Sequence, residues 1–287
     1  MQLGVVFPQT EIGNDPAMVR DYGQAAEGLG YEHVLAFDHV LGGNAATHDL
    51  RGPYKHTDAF HEPFVLFGFL AAVTRLEFVT GIIILPQRQT ALVAKQAAAL
   101  DVLCEGRLRL GVAVGWNHVE FEALGMDYSD RGRRIEEQIE VMRLLWTSEL
   151  VTFEGQEHRI TDAGLNPLPV QRPIPLWFGG HAESVLRRTA RIGDGWFPLF
   201  TPDEEGAAEV EKFRGYIREA GRDPAEVGIE TWLNMEDKTP EQWRAEAAGW
   251  KALGATHFSV NTMNSGLAAP QDHIAAIGRI REALADI

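Results

Sequence analysis

Apolar and polar positions along this chain follow two rhythms that trade places at nearly regular intervals. Short runs with apolar residues on both faces read as strands of a covered parallel sheet: Leu3–Phe7, His33–Phe37, Glu77–Leu85, Leu108–Ala113, Pro175–Phe178, Gly195–Phe197, Val227–Leu233 and His257–Asn261. Between them apolar residues recur at helical spacing, near 15–29, 62–74, 90–104, 130–147, 182–192, 203–220 and 240–253, and again at 270–286. Ile135, Ile139, Met142 and Trp146 share one helical face, as do Ile274, Ile277, Ile280 and Leu284. Pro16, Pro202, Pro240 and Pro270 stand where first helical turns should begin, and Asp15 and Thr239 can cap the turns they precede. Eight βα units in 287 residues predict a (β/α)8 barrel, read as one domain over 1–287. An open doubly wound sheet is the rival architecture, but no GxGxxG follows the first strand.

Two segments break the rhythm. The stretch Asp38–His61, after the second strand, is long, polar and rich in Gly and His, as functional loops are. Ahead of the fifth strand, Leu150–Pro173 begins as a short hairpin turning on Glu154-Gly155 and continues through Pro167, Pro169 and Pro173.

A hydrophobic share of 45% and a charged share of 23% suffice for a large core, and the net charge of −15 argues against a nucleic-acid partner. The lone Cys104 cannot form an internal disulfide, so a reducing cytoplasm is the simplest location; it falls on an apolar helix face with Val93, Ala97 and Leu100 and reads as packing. The start, MQLGVVFPQT, reads as a strand rather than a signal peptide, and no segment is long and apolar enough to span a bilayer.

A barrel of this kind forms its active site at the C-terminal ends of the strands. Standing there are Pro8 and Gln9, Asp38 and His39, Gly81–Leu85, Gly115-Trp116-Asn117, Gly179-Gly180-His181, Pro198 and Asn261. Small and apolar groups dominate, which suits a flat apolar ligand with one anionic end. Gly179-Gly180-His181 joins a strand to a helix start, where backbone N–H groups and the helix dipole favour an anion. His39 at a strand end can move a proton near neutral pH, or merely orient Asp38. Trp116 is placed either to fill core or to wall a planar ligand. His48, His56, His61, Asp49, Asp58 and Glu62 crowd the long loop without a metal-ligand spacing, so a solvated loop is favoured and no metal site is assigned. Lys95, Asp101 and Arg107 read as anchors between helix and barrel, and Arg131 and Glu136 as surface pairing.

With these residues in view the chain resembles the bacterial luciferase-like monooxygenase family, within it the branch of oxidoreductases that use deazaflavin coenzyme F420. The resemblance runs in order through GVVFP at 4–8, FDHV at 37–40, TGIIILP at 80–86 and AKQAAALDVLCEGRLRLGVAVGW at 94–116. It continues through EFEALG, RGRRIEEQIEVMRLLW, FEGQEHRI, PLPVQRPIPLWFGG and, at 190–196, ARIGDGW. The resemblance implies a barrel holding a flavin or deazaflavin at its C-terminal mouth. It implies a non-proline cis peptide at Gly81–Ile82, in a bulge under the central ring, and a phosphate site at Gly179, Gly180 and His181. Asp38, His39, Thr80, Gly115 and Trp116 complete the implied cofactor contacts, with His39 and Trp116 also at the reacting centre. Relatives that oxidise sugar phosphates carry an acid directly after the glycine of the fourth strand; Trp116 stands there, so that substrate is not expected.

The implied activity is hydride transfer between coenzyme F420 and a small organic substrate, by a homodimer. The alternative is an FMN-dependent monooxygenase supplied by a separate reductase. Outside this chemistry lie a metal-dependent hydrolase barrel using the loop histidines and a barrel that only carries flavin.

Overall fold

The computed structural model describes residues 1–50 and 52–287. Eight parallel strand positions close on themselves: β1 (Gln2–Val6), β2 (His33–Ala36), β3 (Glu77–Thr80) continued by β4 (Ile83–Ile84), β5 (Leu108–Ala113), β8 (Leu176–Gly179), β9 (Gly195–Phe197), β10 (Gly228–Asn234) and β11 (His257–Asn261), which pairs back to β1. Helices α1 (Pro16–Gly28), α2 (Pro63–Ala71), α3 (Thr90–Leu103), α5 (Arg131–Thr147), α6 (Glu183–Ile192), α7 (Glu204–Glu219), α8 (Pro240–Ala252) and α9 (Pro270–Ala283) cover the outside. This is the (β/α)8 barrel expected from the alternation. A hairpin of β6 (Val151–Glu154) and β7 (Arg159–Ala163) precedes the fifth strand, and the long loop 38–61, described apart from residue 51, follows the second.

Local chemistry explains the boundaries. Asp15 accepts a hydrogen bond from Ala17 N at 2.9 Å and Pro16 opens α1; Thr239 and Gln242 form a capping box ahead of α8. Pro202 does not open its helix: α7 starts after Asp203, whose carboxylate accepts from Gly206 N at 3.0 Å. Lys95 Nζ donates to Asn166 O and Asp101 accepts from Gln171 N at 2.9 Å, so these two tie α3 to the segment ahead of the fifth strand rather than to the barrel, while Arg107 donates to Leu76 O.

The third strand is broken where the apolar run read as continuous, and it carries the bulge that the resemblance implied. Val79 lies beside Arg109 but Ile83 lies beside Val112, four steps on one strand against three on the other. One extra residue therefore bulges out between β3 and β4, and the Gly81–Ile82 peptide within it is cis. A run that is apolar on both faces hides such a shift, because no alternation marks the slipped register. The second departure is a short helix, α4 (His118–Ala123), directly after Gly115-Trp116.

Inside the barrel, Val6, Leu35, Val79, Trp177, Phe197 and Met263 form one apolar layer, with Phe37, Ile82 and Trp232 packed on it. Beneath it, towards the strand starts, the filling is ionic. Arg109 reaches Glu230 at 2.7 Å and Glu77 at 2.8 Å and lies over the Trp177 ring, while His33 Nε2 meets Glu230 at 2.8 Å and Ser259 Oγ at 2.9 Å. Burial would raise the Glu230 carboxyl, but Arg109 and His33 outweigh it and hold the group well below the usual range. Breaking one partner of such a buried network leaves an uncompensated charge. The network plugs the end of the barrel away from the loops. Among the described residues, no helix is long and apolar enough to cross a membrane.

Candidate active site

At the opposite end the strand termini surround a cavity of about 540 Å³. The loop after β2 brings Asp38 and His39 to it, the bulge brings Gly81 and Ile82, the end of β5 brings Gly115 and Trp116, and the turn after β8 brings Gly179, Gly180 and His181. Trp232 and Tyr54 add aromatic wall. A lining this apolar, with a few convergent polar groups, is the usual form of a small-molecule site. Every implied site residue except Thr80 is among its walls. Thr80 is fully buried, and its hydroxyl donates to Gly111 O at 2.8 Å, tying the bulge to β5.

Asp38 lines the cavity, and its carboxylate is taken up by Arg88, whose Nη2 donates to both oxygens at 2.8 and 2.9 Å. Arg88 also reaches Glu62 at 3.1 Å, so the start and the end of the long loop are tied to one guanidinium. The Asp38 side chain thus anchors the loop. His39 is different. Its Nδ1 meets Glu120 Oε1 at 3.2 Å, and its Nε2 has no partner among the described residues. Tyr54, Phe60 and Trp116 surround the ring at centroid distances of 5.2, 4.9 and 5.5 Å.

Glu120 is the residue that sequence reasoning left out of the site, as an acid further into the loop that could not be assumed to replace the one absent at Trp116. It stands 1% exposed on α4 and accepts hydrogen bonds from Val40 N at 2.9 Å, Leu41 N at 3.3 Å and, through Oε2, Gln87 Nε2 at 3.1 Å. Burial would raise its carboxyl, but the bonds from His39, Gln87 and the Leu41 backbone prevail and hold it below the usual range. An ionised Glu120 requires Nδ1 to carry the proton, so a neutral His39 offers a bare Nε2 as base. The available signal was Asn117, which caps α4 by accepting from Val119 N at 3.2 Å and so sets Glu120 in the first turn.

The turn after β8 has the features of an anion cradle. Gly180 holds φ +124°, a conformation that side-chain-bearing residues rarely adopt, and Trp196 Nε1 pins its carbonyl at 2.8 Å. A Cβ on Gly179 would sit 3.3 Å from Ile82 Cγ2. Ala182 supplies no side-chain cap to α6, which leaves first-turn N–H groups to face whatever enters. Among the described residues, no group of three or more His, Cys, Asp or Glu side chains is gathered in a way that could hold a metal ion.

The model of the family described as luciferase-like monooxygenase matches residues 1–284. The chain belongs to that family. It is 34% identical to an uncharacterized protein of Mycobacterium tuberculosis over 78% of this chain and 80% of that one. It is 30% identical to an FMNH(2)-dependent dimethylsulfone monooxygenase of Pseudomonas putida over 88% of this chain and 68% of the relative. Among solved structures, an F420-dependent secondary alcohol dehydrogenase in complex with an F420-acetone adduct shares the fold at TM-score 0.77 and 20% identity, covering 99% and 98% of the two chains.

This luciferase-like barrel is therefore an enzyme of the oxidoreductase and monooxygenase type. In it, the bulged third strand, the glycine turn and the His39–Glu120 pair converge on one cavity. The loop residues His48 and His56 are exposed and do not line it.

Proposed function

We propose that this luciferase-like enzyme moves a hydride between deazaflavin coenzyme F420 and a small organic substrate, with His39 handling the accompanying proton. The observation that carries this reading is His39 itself, a residue lining an apolar cavity and held through Nδ1 by a buried carboxylate. A bound deazaflavin supplies a ring carbon that accepts or returns a hydride. Everything else falls to the chain. In the oxidising direction, a substrate C–H bond yields its hydride to the coenzyme, the hydroxyl proton passes to His39 Nε2, and a carbonyl product results. Glu120 stabilises the imidazolium that this step creates.

The residues present fit such a group. The Gly179-Gly180 turn and the uncapped α6 terminus would receive a phosphate through backbone N–H groups, and Ile82 on the bulge would support a flat ring from below. The wall is apolar enough to keep water from the reacting atoms. Asp38 and Thr80 serve this site indirectly, one by anchoring the loop and the other by anchoring the bulge. A homodimer in the cytoplasm is part of the same proposal.

A second reading, an FMN-dependent monooxygenase fed by a separate reductase, draws support from the 30% identity to the Pseudomonas putida enzyme. Fluorescence titration of the purified protein with coenzyme F420 and with FMN separates the two. Micromolar binding of F420 with weaker FMN supports the first, the reverse order supports the second, and binding of neither overturns both.

A further inference from the structure

Phe37, Tyr54, Trp116 and Trp232 line part of the cavity around His39, with Phe60 against the His39 ring but outside the lining, and their arrangement bears on the substrate, a step that rests on the hydride-transfer reading above. Trp116, Tyr54 and Phe60 each lie within 5.5 Å of the His39 ring, Tyr54 lies 4.9 Å from Phe60, and Phe37 lies 5.7 Å from Trp232. These rings come from two loops and one strand, yet all are only half-buried, whereas Trp146, Trp196, Trp250 and Tyr22 are fully buried elsewhere. The neighbours tilt 44–81° to one another, so none is stacked face to face on the next. The long loop lies flat on Trp116: a Cβ on Gly52 would stand 2.3 Å from the indole, so this close approach requires glycine and fixes the ring. Such a wall offers ring faces and edges to a guest and few hydrogen bonds.

The geometry points to a planar, largely apolar substrate, aromatic or conjugated, carrying one hydroxyl or carbonyl oxygen within reach of His39. Its plane is held by Trp116 and Tyr54, and Nε2 accepts from a hydroxyl or, in the imidazolium, donates to a carbonyl oxygen. Burial, with Asp58 nearby, pushes the Tyr54 phenol up to about 12, so its hydroxyl stays neutral.

The test is calorimetric binding of two ketones of matched size, acetylnaphthalene and acetyldecalin, to the purified protein with and without coenzyme F420. The expected result is at least about tenfold tighter binding of the flat aromatic ketone, lost in Trp116→Ala and Tyr54→Ala and kept within about threefold in Trp116→Phe. Thermal melts of each variant confirm that the fold persists. Equal binding of the two ketones, or a preference that survives both alanine variants, overturns the inference even if F420 binds. If F420 does not bind but the aromatic preference and its loss in the variants remain, the aromatic site stands and the hydride reading falls.

Discussion

Replacing Glu120 isolates the role assigned to the pair it forms with His39. The carboxylate receives four hydrogen bonds, from His39 Nδ1, Val40 N, Leu41 N and Gln87 Nε2, at 2.9 to 3.3 Å. Glu120→Ala leaves these donors without acceptors at a buried position, and at about 1 kcal/mol each the cost reaches roughly 3–5 kcal/mol. Glu120→Gln is gentler. Its oxygen can still accept at the Oε1 position, while its amide meets Gln87, which must turn over to present Oε1, an atom now lacking a partner. That exchange costs about 1 kcal/mol, so the variant should fold and report on His39 alone.

Nitrogen-resolved NMR of the His39 ring is the assay. The native enzyme should carry its proton on Nδ1; Glu120→Gln should weaken that preference, since a neutral acceptor holds a proton about half as well as a carboxylate. Turnover, once a substrate is found, should drop by about a hundredfold. Acid stability gives a second readout with a defined sign. Glu120 is held below its ordinary value of 4.5, so its contribution is complete above that pH and is lost as pH falls through the folded value. Glu120→Gln should remove this part of the acid sensitivity. A native His39 protonated on Nε2, or a tautomer unchanged in both variants, refutes the reasoning.

Three further outcomes follow from other parts of the molecule. His257 is held down to about 3 by burial and by Arg109, so the unfolded chain binds the extra proton and stability should fall as pH drops below 6.5, by up to ~1.4 kcal/mol per pH unit; His257→Gln should flatten that slope in urea unfolding. Helix α2 is apolar all round, with Val65 72% and Phe69 41% exposed, so the protein should run as a dimer in light scattering and Val65→Glu with Phe69→Glu should make it monomeric; a monomeric native protein contradicts this. Gly180→Ala places a Cβ at φ +124° and should weaken binding of the phosphate-bearing coenzyme at least about tenfold without changing the fold, as measured by fluorescence titration and circular dichroism.

The barrel was legible because its strands are buried on both faces and most of its helices are amphipathic, two periods that a single chain displays openly. The glycine turn and His39 were legible for the same reason, since each follows a readable strand. The bulge was hidden inside an uninterrupted apolar run, and only the resemblance pointed to it. Glu120 escaped because its significance depends on meeting His39 across 81 positions of sequence. The grip of Arg88 on Asp38 spans 50 positions, and the plug joining Arg109 to Glu230 spans 121. Charged residues inside apolar strands announce an anomaly; only barrel closure supplies the partner.

The most direct test of the account is a crystal structure with coenzyme F420 bound. The account predicts the phosphate on the backbone N–H groups after Gly179, the deazaflavin ring against Ile82, and His39 Nε2 facing its open side. A phosphate bound elsewhere, or a ring seated away from His39, would contradict it.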